Sequence, residues 1–192
     1  MNGLIGTLRQ DIGRCLDGGT GGARKVAAGI LRNPGLQAIL VYRFGRLLLG
    51  KRHPVFAWPF VVLGAPLYLL AAGIVRACYG IRLRVSAEIG PGFWVGHFGG
   101  IEVANCRIGA RCSVGQQTRI GSRSDPIGPR IGDGVWIGAH AKVFGPVKVG
   151  DAATVAPGAR VKKDVPPHAL VAGDPARVVF RRYDNRAILP GS

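Results

Sequence analysis

The sequence predicts a mainly β protein, a parallel β-helix of hexapeptide repeats with an α-helical N-terminal domain. Three observations predict it. Aliphatic residues recur every six positions from Ile89 to Val161. Glycine, at 31 of 192 residues, most often follows them. Upstream of residue 80 that period is absent, and helical spacing and a long uncharged stretch take its place.

The helical region is assigned to residues 1–80. In "VAAGILRNPGLQAILVYRFGRLLLG", residues 26–50, a helix is broken at Asn33–Pro34, because proline disfavours helical geometry in the residue before it. Beyond the break, Leu36, Leu40, Tyr42, Phe44 and Leu47 fit one apolar helical face. The segment 55–75, "VFAWPFVVLGAPLYLLAAGIV", carries no charge and is long enough to span a bilayer. Pro59 and Pro66 argue against a straight span, and both flanks are basic, with Lys51 and Arg52 before and Arg76, Arg82 and Arg84 after. A single crossing would leave one basic flank outside, against the positive-inside tendency. Two expectations follow: an interfacial or re-entrant helix pair at the cytoplasmic membrane face, or a cap buried against the β-helix or a partner subunit.

The β-helix is assigned to residues 81–175. Its leading aliphatics are Ile89, Val95, Ile101, Ile108, Val114, Ile120, Ile131, Ile137, Val143, Val149, Val155 and Val161. A six-residue period gives one short strand and one turn per hexad, and three hexads per triangular coil. Twelve hexads thus make four coils, with parallel strands about 4.8 Å apart. Two gaps break the period: one extra residue between Ile101 and Ile108, and five between Ile120 and Ile131. The second must leave the prism as a loop, residues 121–130, and loops on a rigid repeat are where sites are built. Hexads three apart stack, so His97, Gln116, Ala139 and Pro157 form one vertical column. A base at one end and compact residues at the other suit an elongated ligand with its reactive end at His97. Residues 176–192 form a C-terminal tail.

The formal charge of +16 calls for an anionic partner: an anionic membrane surface or a phosphorylated small molecule. Residues 1–86 hold 12 Lys/Arg against 2 acids, and residues 87–192 hold 14 against 8. No RNA- or DNA-binding motif accompanies the charge, so nucleic acid is not expected. Cys15, Cys78, Cys106 and Cys112 show no CxxC or zinc-ligand spacing, and no cleavable leader opens the chain, which suits reduced thiols in a cytoplasmic protein.

The stretches "IGPGFWVGHFGGIEV", "WIGAHAKVFGPVKVGD", "VKKDVPPHALVAGDPARVV" and "NPGLQAILVYRFGRLL" resemble the hexapeptide-repeat acyltransferases. The nearest likeness is to the serine O-acetyltransferase group and its exopolysaccharide-associated relatives. The resemblance covers roughly residues 30–180, helical segment included. It implies a left-handed β-helix, a homotrimer (in some members a dimer of trimers), and acetyl-CoA bound between subunits. It places a catalytic general base at His97. It also places coenzyme contacts at Ala139, Pro157, Lys162, Lys163 and Arg177, whose cations suit phosphate. Gln116, Asn33 and Asp125 are the candidate substrate contacts. No metal is implied.

The sequence departs from the serine-specific pattern in three places. Gly96 stands where an acid normally precedes the histidine, residues 121–130 contain no second histidine, and Asn33 replaces an upstream acid. These departures move the expected acceptor from L-serine toward a saccharide hydroxyl. Of the other histidines, His140 lies one residue off the column, His168 falls in the C-terminal closure and His53 in the basic flank. A zinc enzyme like the gamma-type carbonic anhydrases would need three converging histidines. A non-catalytic membrane-associated scaffold is the remaining alternative.

Overall fold

A computed structural model describes residues 3–16, 22–49, 58–96, 99–122, 124 and 127–189. His97 and Asp125, two of the expected site residues, lie outside the described residues, as does His53.

Among the described residues four helices come first: α1 (Leu4–Cys15), α2 (Gly22–Arg32), α3 (Pro34–Leu49) and α4 (Trp58–Tyr79). The expected break at Asn33–Pro34 divides α2 from α3. Asn33 Oδ1 accepts the Leu36 N–H at 3.0 Å, a side-chain N-cap, and Pro34 occupies the first helical position where its missing N–H costs nothing. From Trp58 on, the apolar segment is one helix rather than a re-entrant pair. Pro59 falls in its first turn, and only Pro66 sits in the interior. At its C-terminus Gly80, with φ of 65°, donates its N–H to the Arg76 carbonyl at 3.0 Å. This left-handed position suits glycine as a helix stop.

Among the described residues fifteen strands follow, β1 (Arg82–Leu83) to β15 (Arg177–Phe180), nearly all of two residues. They form the three faces of a prism. Face A stacks β1, β4 (Glu102–Val103), β7 (Arg119–Ile120), β10 (Lys142–Val143) and β13 (Arg160–Val161). Face B stacks β2 (Glu88–Ile89), β5 (Arg107–Ile108), β8 (Arg130–Ile131) and β11 (Lys148–Val149). Face C stacks β3 (Trp94–Val95), β6 (Ser113–Val114), β9 (Trp136–Ile137), β12 (Thr154–Val155), β14 (Leu170–Ala172) and β15. Pairing is parallel throughout except for β14 with β15, which turns back and closes the end. On face A the inward residues in register are Leu83, Val103, Ile120, Val143 and Val161. The strands thus add a rung at Arg82–Leu83 and another at Leu170–Ala172 to the twelve hexads read from sequence.

One detail of that reading changes. The face A rung is Val103, not Ile101, so the surplus length sits in the connection from Val95 to Val103. Both aliphatics are fully buried, and residues two apart on extended chain point the same way, so the sequence does not tell them apart. The glycines after the inward aliphatics act by close approach to the next coil. A Cβ on Gly138 would lie 2.6 Å from the Pro157 nitrogen. The left-handed corners fall later in each turn, and several are not glycine: Arg111, Gln117, His140, Ala152 and His168. His140 and His168 are therefore accounted for as corner residues, a position histidine tolerates better than most.

The N-terminal end of the prism explains the buried cations. Each coil directs its N–H groups at the next, as Glu88 does to the Cys106 carbonyl at 2.8 Å, so the carbonyls of the first coil face the open end. The helices meet them with donors. Tyr42 reaches the Ala87 carbonyl at 2.7 Å, and Arg43 reaches Ile89 and Gly90 at 2.6 Å each. Arg14 reaches Gly92 at 2.6 Å, and Arg46 reaches Val85 at 2.9 Å. Asp11, fully buried, pairs with Arg43 at 2.9 Å and accepts the Phe93 N–H at 3.1 Å. Leaving any of these carbonyls buried and unpaired would cost about 1–3 kcal/mol.

Candidate active site

The column read from the sequence is present where the structure describes it. Trp94, Ser113, Trp136 and Thr154 are in register, so Gln116, Ala139 and Pro157 stack three residues further on, at the corner between faces C and A. Their backbones are stitched together there: His140 N–H donates to the Gln116 carbonyl and Gly158 N–H to the Ala139 carbonyl, both at 2.8 Å. Gln116 and Pro157 are exposed and Ala139 is half-buried, leaving a shallow surface without bulk.

The upper end of this corner is fixed on both sides of residues 97–98. Gly96 N–H donates to the Val114 carbonyl, and Gly99 N–H to the carbonyl of Tyr79, the last residue of α4, each at 2.8 Å. Gly99 and Gly100 both take positive φ, at 89° and 71°. A Cβ on Gly35, in the first turn of α3, would strike the Val95 carbonyl oxygen, so the start of α3 is seated against the strand that leads into this corner. Asn33 stands two residues before Gly35, and its side-chain oxygen is engaged in capping α3.

The remaining expected contacts divide between corners. Arg177 pairs with Ala172 on β15, at the lower end of the C–A corner. Lys162 and Lys163, both exposed, follow β13 (Arg160–Val161) at the corner between faces A and B. The extruded loop leaves by that same A–B corner, after β7 (Arg119–Ile120) and before β8 (Arg130–Ile131). Its Gly121 and Gly128 abut the carbonyls of Ala104 and Asn105. One chain therefore carries Gln116, Ala139, Pro157 and Arg177 on one edge, and Lys162, Lys163 and the loop on another.

Clefts among the described residues also lie elsewhere. One of about 570 Å³ is lined by Tyr42, Arg43, Arg46, Glu88 and Arg107 at the helical end. Another, of about 590 Å³, lies between His168 and Tyr183 near the C-terminus. Among the described residues no three His, Cys, Asp or Glu side chains converge as metal ligands.

Burial has a clear effect on the titrating groups. The Cys106 and Cys112 thiols are pushed up to about 12, which removes both as nucleophiles at neutral pH. Burial also raises the Asp11 carboxyl, against the pull of Arg43, and lowers the Arg14 guanidinium. The capping donors Arg14, Arg43 and Arg46 gave no sequence signal of their role, since each reads as one more surface cation.

Comparison with known proteins agrees with this architecture. Residues 128–163 match the family model "Bacterial transferase hexapeptide (six repeats)". The chain is 31% identical over 181 residues to serine acetyltransferase from Bacillus pumilus, covering 91% of this chain and 76% of that one. It is 37% identical over 109 residues to serine acetyltransferase 4 of Arabidopsis thaliana, covering 55% of this chain and 31% of the plant protein. Against serine acetyltransferase from Synechococcus elongatus identity is 28%, and the match covers 79% of this chain and 59% of the relative. The chain thus spans between 31% and 59% of the length of these last two relatives.

Among solved structures, serine acetyltransferase from Vibrio cholerae superposes with a TM-score of 0.76 at 25% identity, over 98% of this chain and 70% of that one. A Brucella abortus serine acetyltransferase in complex with coenzyme A gives 0.71 at 26% identity, over 92% and 67%. With a left-handed hexapeptide β-helix, a helical N-terminal cap and a Bacillus relative matched along most of its length, the chain belongs to the serine acetyltransferase family.

Proposed function

We propose that the protein is an acetyl-CoA-dependent O-acetyltransferase that moves an acetyl group directly to a hydroxyl of a small acceptor. The column Gln116–Ala139–Pro157 carries this reading: it is an edge free of bulky side chains, with Gln116 and Pro157 exposed, in register below Trp94, three residues before His97. The pantetheine arm of acetyl-CoA lies along this edge, and a relative solved in complex with coenzyme A supports the choice of donor.

Neutral His97 takes the proton from the acceptor hydroxyl as its oxygen attacks the thioester carbonyl. Backbone N–H groups of the glycine-bearing turn stabilise the oxyanion. On collapse the C–S bond breaks, and the imidazolium returns its proton to the departing thiolate. No acyl-enzyme intervenes, in keeping with the high pKa of the two buried thiols.

The division of the coenzyme contacts between two corners supports a homotrimer. In such an assembly the C–A edge of one subunit faces the A–B edge of the next, and Lys162 and Lys163 reach the column from the neighbour. The enzyme then works in the cytoplasm, where its acyl donor is found.

L-serine is the first acceptor, supported by the names of the relatives. A saccharide hydroxyl is the second reading, favoured by Gly96 where an acid would hold the serine ammonium and by the commitment of Asn33 to its helix cap. The test is release of free CoA from acetyl-CoA with L-serine, nucleotide sugars and oligosaccharides as acceptors, with His97→Ala alongside. Turnover with at least one of these, and a loss of at least ~100-fold in the variant, is expected. A variant as fast as wild type removes His97 as the base.

A further inference from the structure

We propose that the outward face of α4 docks the protein, in the plane of the interface, onto an anionic lipid bilayer. α4 is two-sided. Its inward side packs on α3, where Tyr68 and Val75 are buried and a Cβ on Gly45 would collide with the Tyr68 ring. Its outward side exposes Val62, Leu63, Leu67, Leu69, Leu70 and Ile74, each more than half exposed, with Leu63 at 79%. On a helical wheel these residues, with Pro66, Gly73 and Ala77, fill one continuous half of the circumference. Among the described residues of α4, the one charged side chain is Arg76, which borders that half near the C-terminal end. A helix that merely met water would carry polar residues there, and an apolar surface this large marks a docking site.

Charge selects the occupant. Residues 1–86 carry 12 cations and 2 acids, and one of those acids, Asp11, is buried in its pair with Arg43. Joining two copies through this face would bring two strongly positive regions together. Anionic headgroups complement them instead, and Arg76 at the rim is placed to reach a phosphate while its stem stays among the apolar side chains. Arg82 and Arg84, just beyond α4, share a single carboxylate, Glu102, at 3.1 and 3.9 Å, which leaves positive charge in excess there.

The geometry also selects in-plane docking over spanning. The side of α4 that carries Tyr68 and Val75 packs on α3, and α3 is bound to the prism through Arg43 and Arg46. Lipid can therefore reach only the outward half of α4.

The proposal is independent of the acetyl-transfer reading, because its test reads binding without turnover. The full chain is floated with vesicles of phosphatidylcholine alone and of phosphatidylcholine with about one quarter phosphatidylglycerol, at low salt and at about 0.5 M salt. Wild type is expected to float with the anionic vesicles at least ~10-fold better than with the neutral ones, and less well at high salt. The double variant Leu63→Gln, Leu70→Gln is expected to lose at least ~10-fold of that binding, while its circular dichroism and assembly mass stay those of wild type. Val179→Gln, which removes an exposed apolar side chain on β15, is expected to bind like wild type. Failure of wild type to float overturns the proposal. So does a double variant that floats like wild type, or one whose assembly mass falls, since the face would then join copies of the chain.

Discussion

The Asp11 carboxylate on α1 accepts two hydrogen bonds from the Arg43 guanidinium on α3, at 2.9 and 3.4 Å, with both side chains nearly withdrawn from water. Removing the carboxylate leaves a cation buried against the prism without its counter-charge. Asp11→Ala is expected to cost about 3–5 kcal/mol in urea or guanidinium unfolding. Arg43→Ala is expected to cost at least as much, because it also strands the carbonyls of Ile89 and Gly90.

Two glycine substitutions should move stability in opposite directions. Gly138→Val presses a branched side chain into the backbone of the next coil at Pro157, and a loss of about 1–3 kcal/mol is expected. Gly73→Ala, inside α4 with nothing within 4 Å of the added methyl, is expected to gain up to ~1 kcal/mol from helix propensity. Thermal melts of the two variants beside wild type check both signs.

Lys162 and Lys163 are exposed and sit on the A–B edge, apart from the column in their own chain. If they hold coenzyme phosphates across a subunit boundary, they bind ground state and transition state alike. The Lys162→Ala, Lys163→Ala double variant is then expected to raise KM for acetyl-CoA about 10-fold or more with kcat nearly unchanged. Steady-state kinetics at saturating acceptor reads the split.

Thiol reactivity follows from burial. With Cys106 and Cys112 pushed from 9.0 to about 12, their thiolate fraction at pH 8 falls from about one tenth to about one in ten thousand. Iodoacetamide at pH 8 is expected to label the exposed Cys78 in the folded protein. Cys106 and Cys112 should react only after unfolding, and peptide mass spectrometry separates the three sites.

The period of six made the prism legible because each rung needs an inward aliphatic and a residue small enough to let the next coil approach. The same pattern brought out Gln116, Ala139 and Pro157 as one column, since register follows directly from the repeat. It could not choose between Ile101 and Val103, which lie on one side of an extended chain and are equally buried. Nor could it separate α4 as one helix from a pair, because a proline's effect depends on how close it stands to the helix start. Arg14, Arg43 and Arg46 were opaque for a different reason. A cation that binds a carbonyl looks, in sequence, like one that faces water.

Those arginines follow from the directionality of the prism itself. Its axis runs from a surface of bare acceptors at the first coil to a surface of bare donors at the last. At the far end the Lys148 N–H finds the Asp164 carboxylate at 2.8 Å where a backbone carbonyl would otherwise stand. The two ends therefore demand opposite chemistry from whatever closes them: cations and hydroxyls before the first coil, acceptors such as the Asp164 carboxylate after the last. A cap transplanted from one end to the other would not serve. Part of the +16 charge is thus a requirement of folding, set against the carbonyls of the first coil.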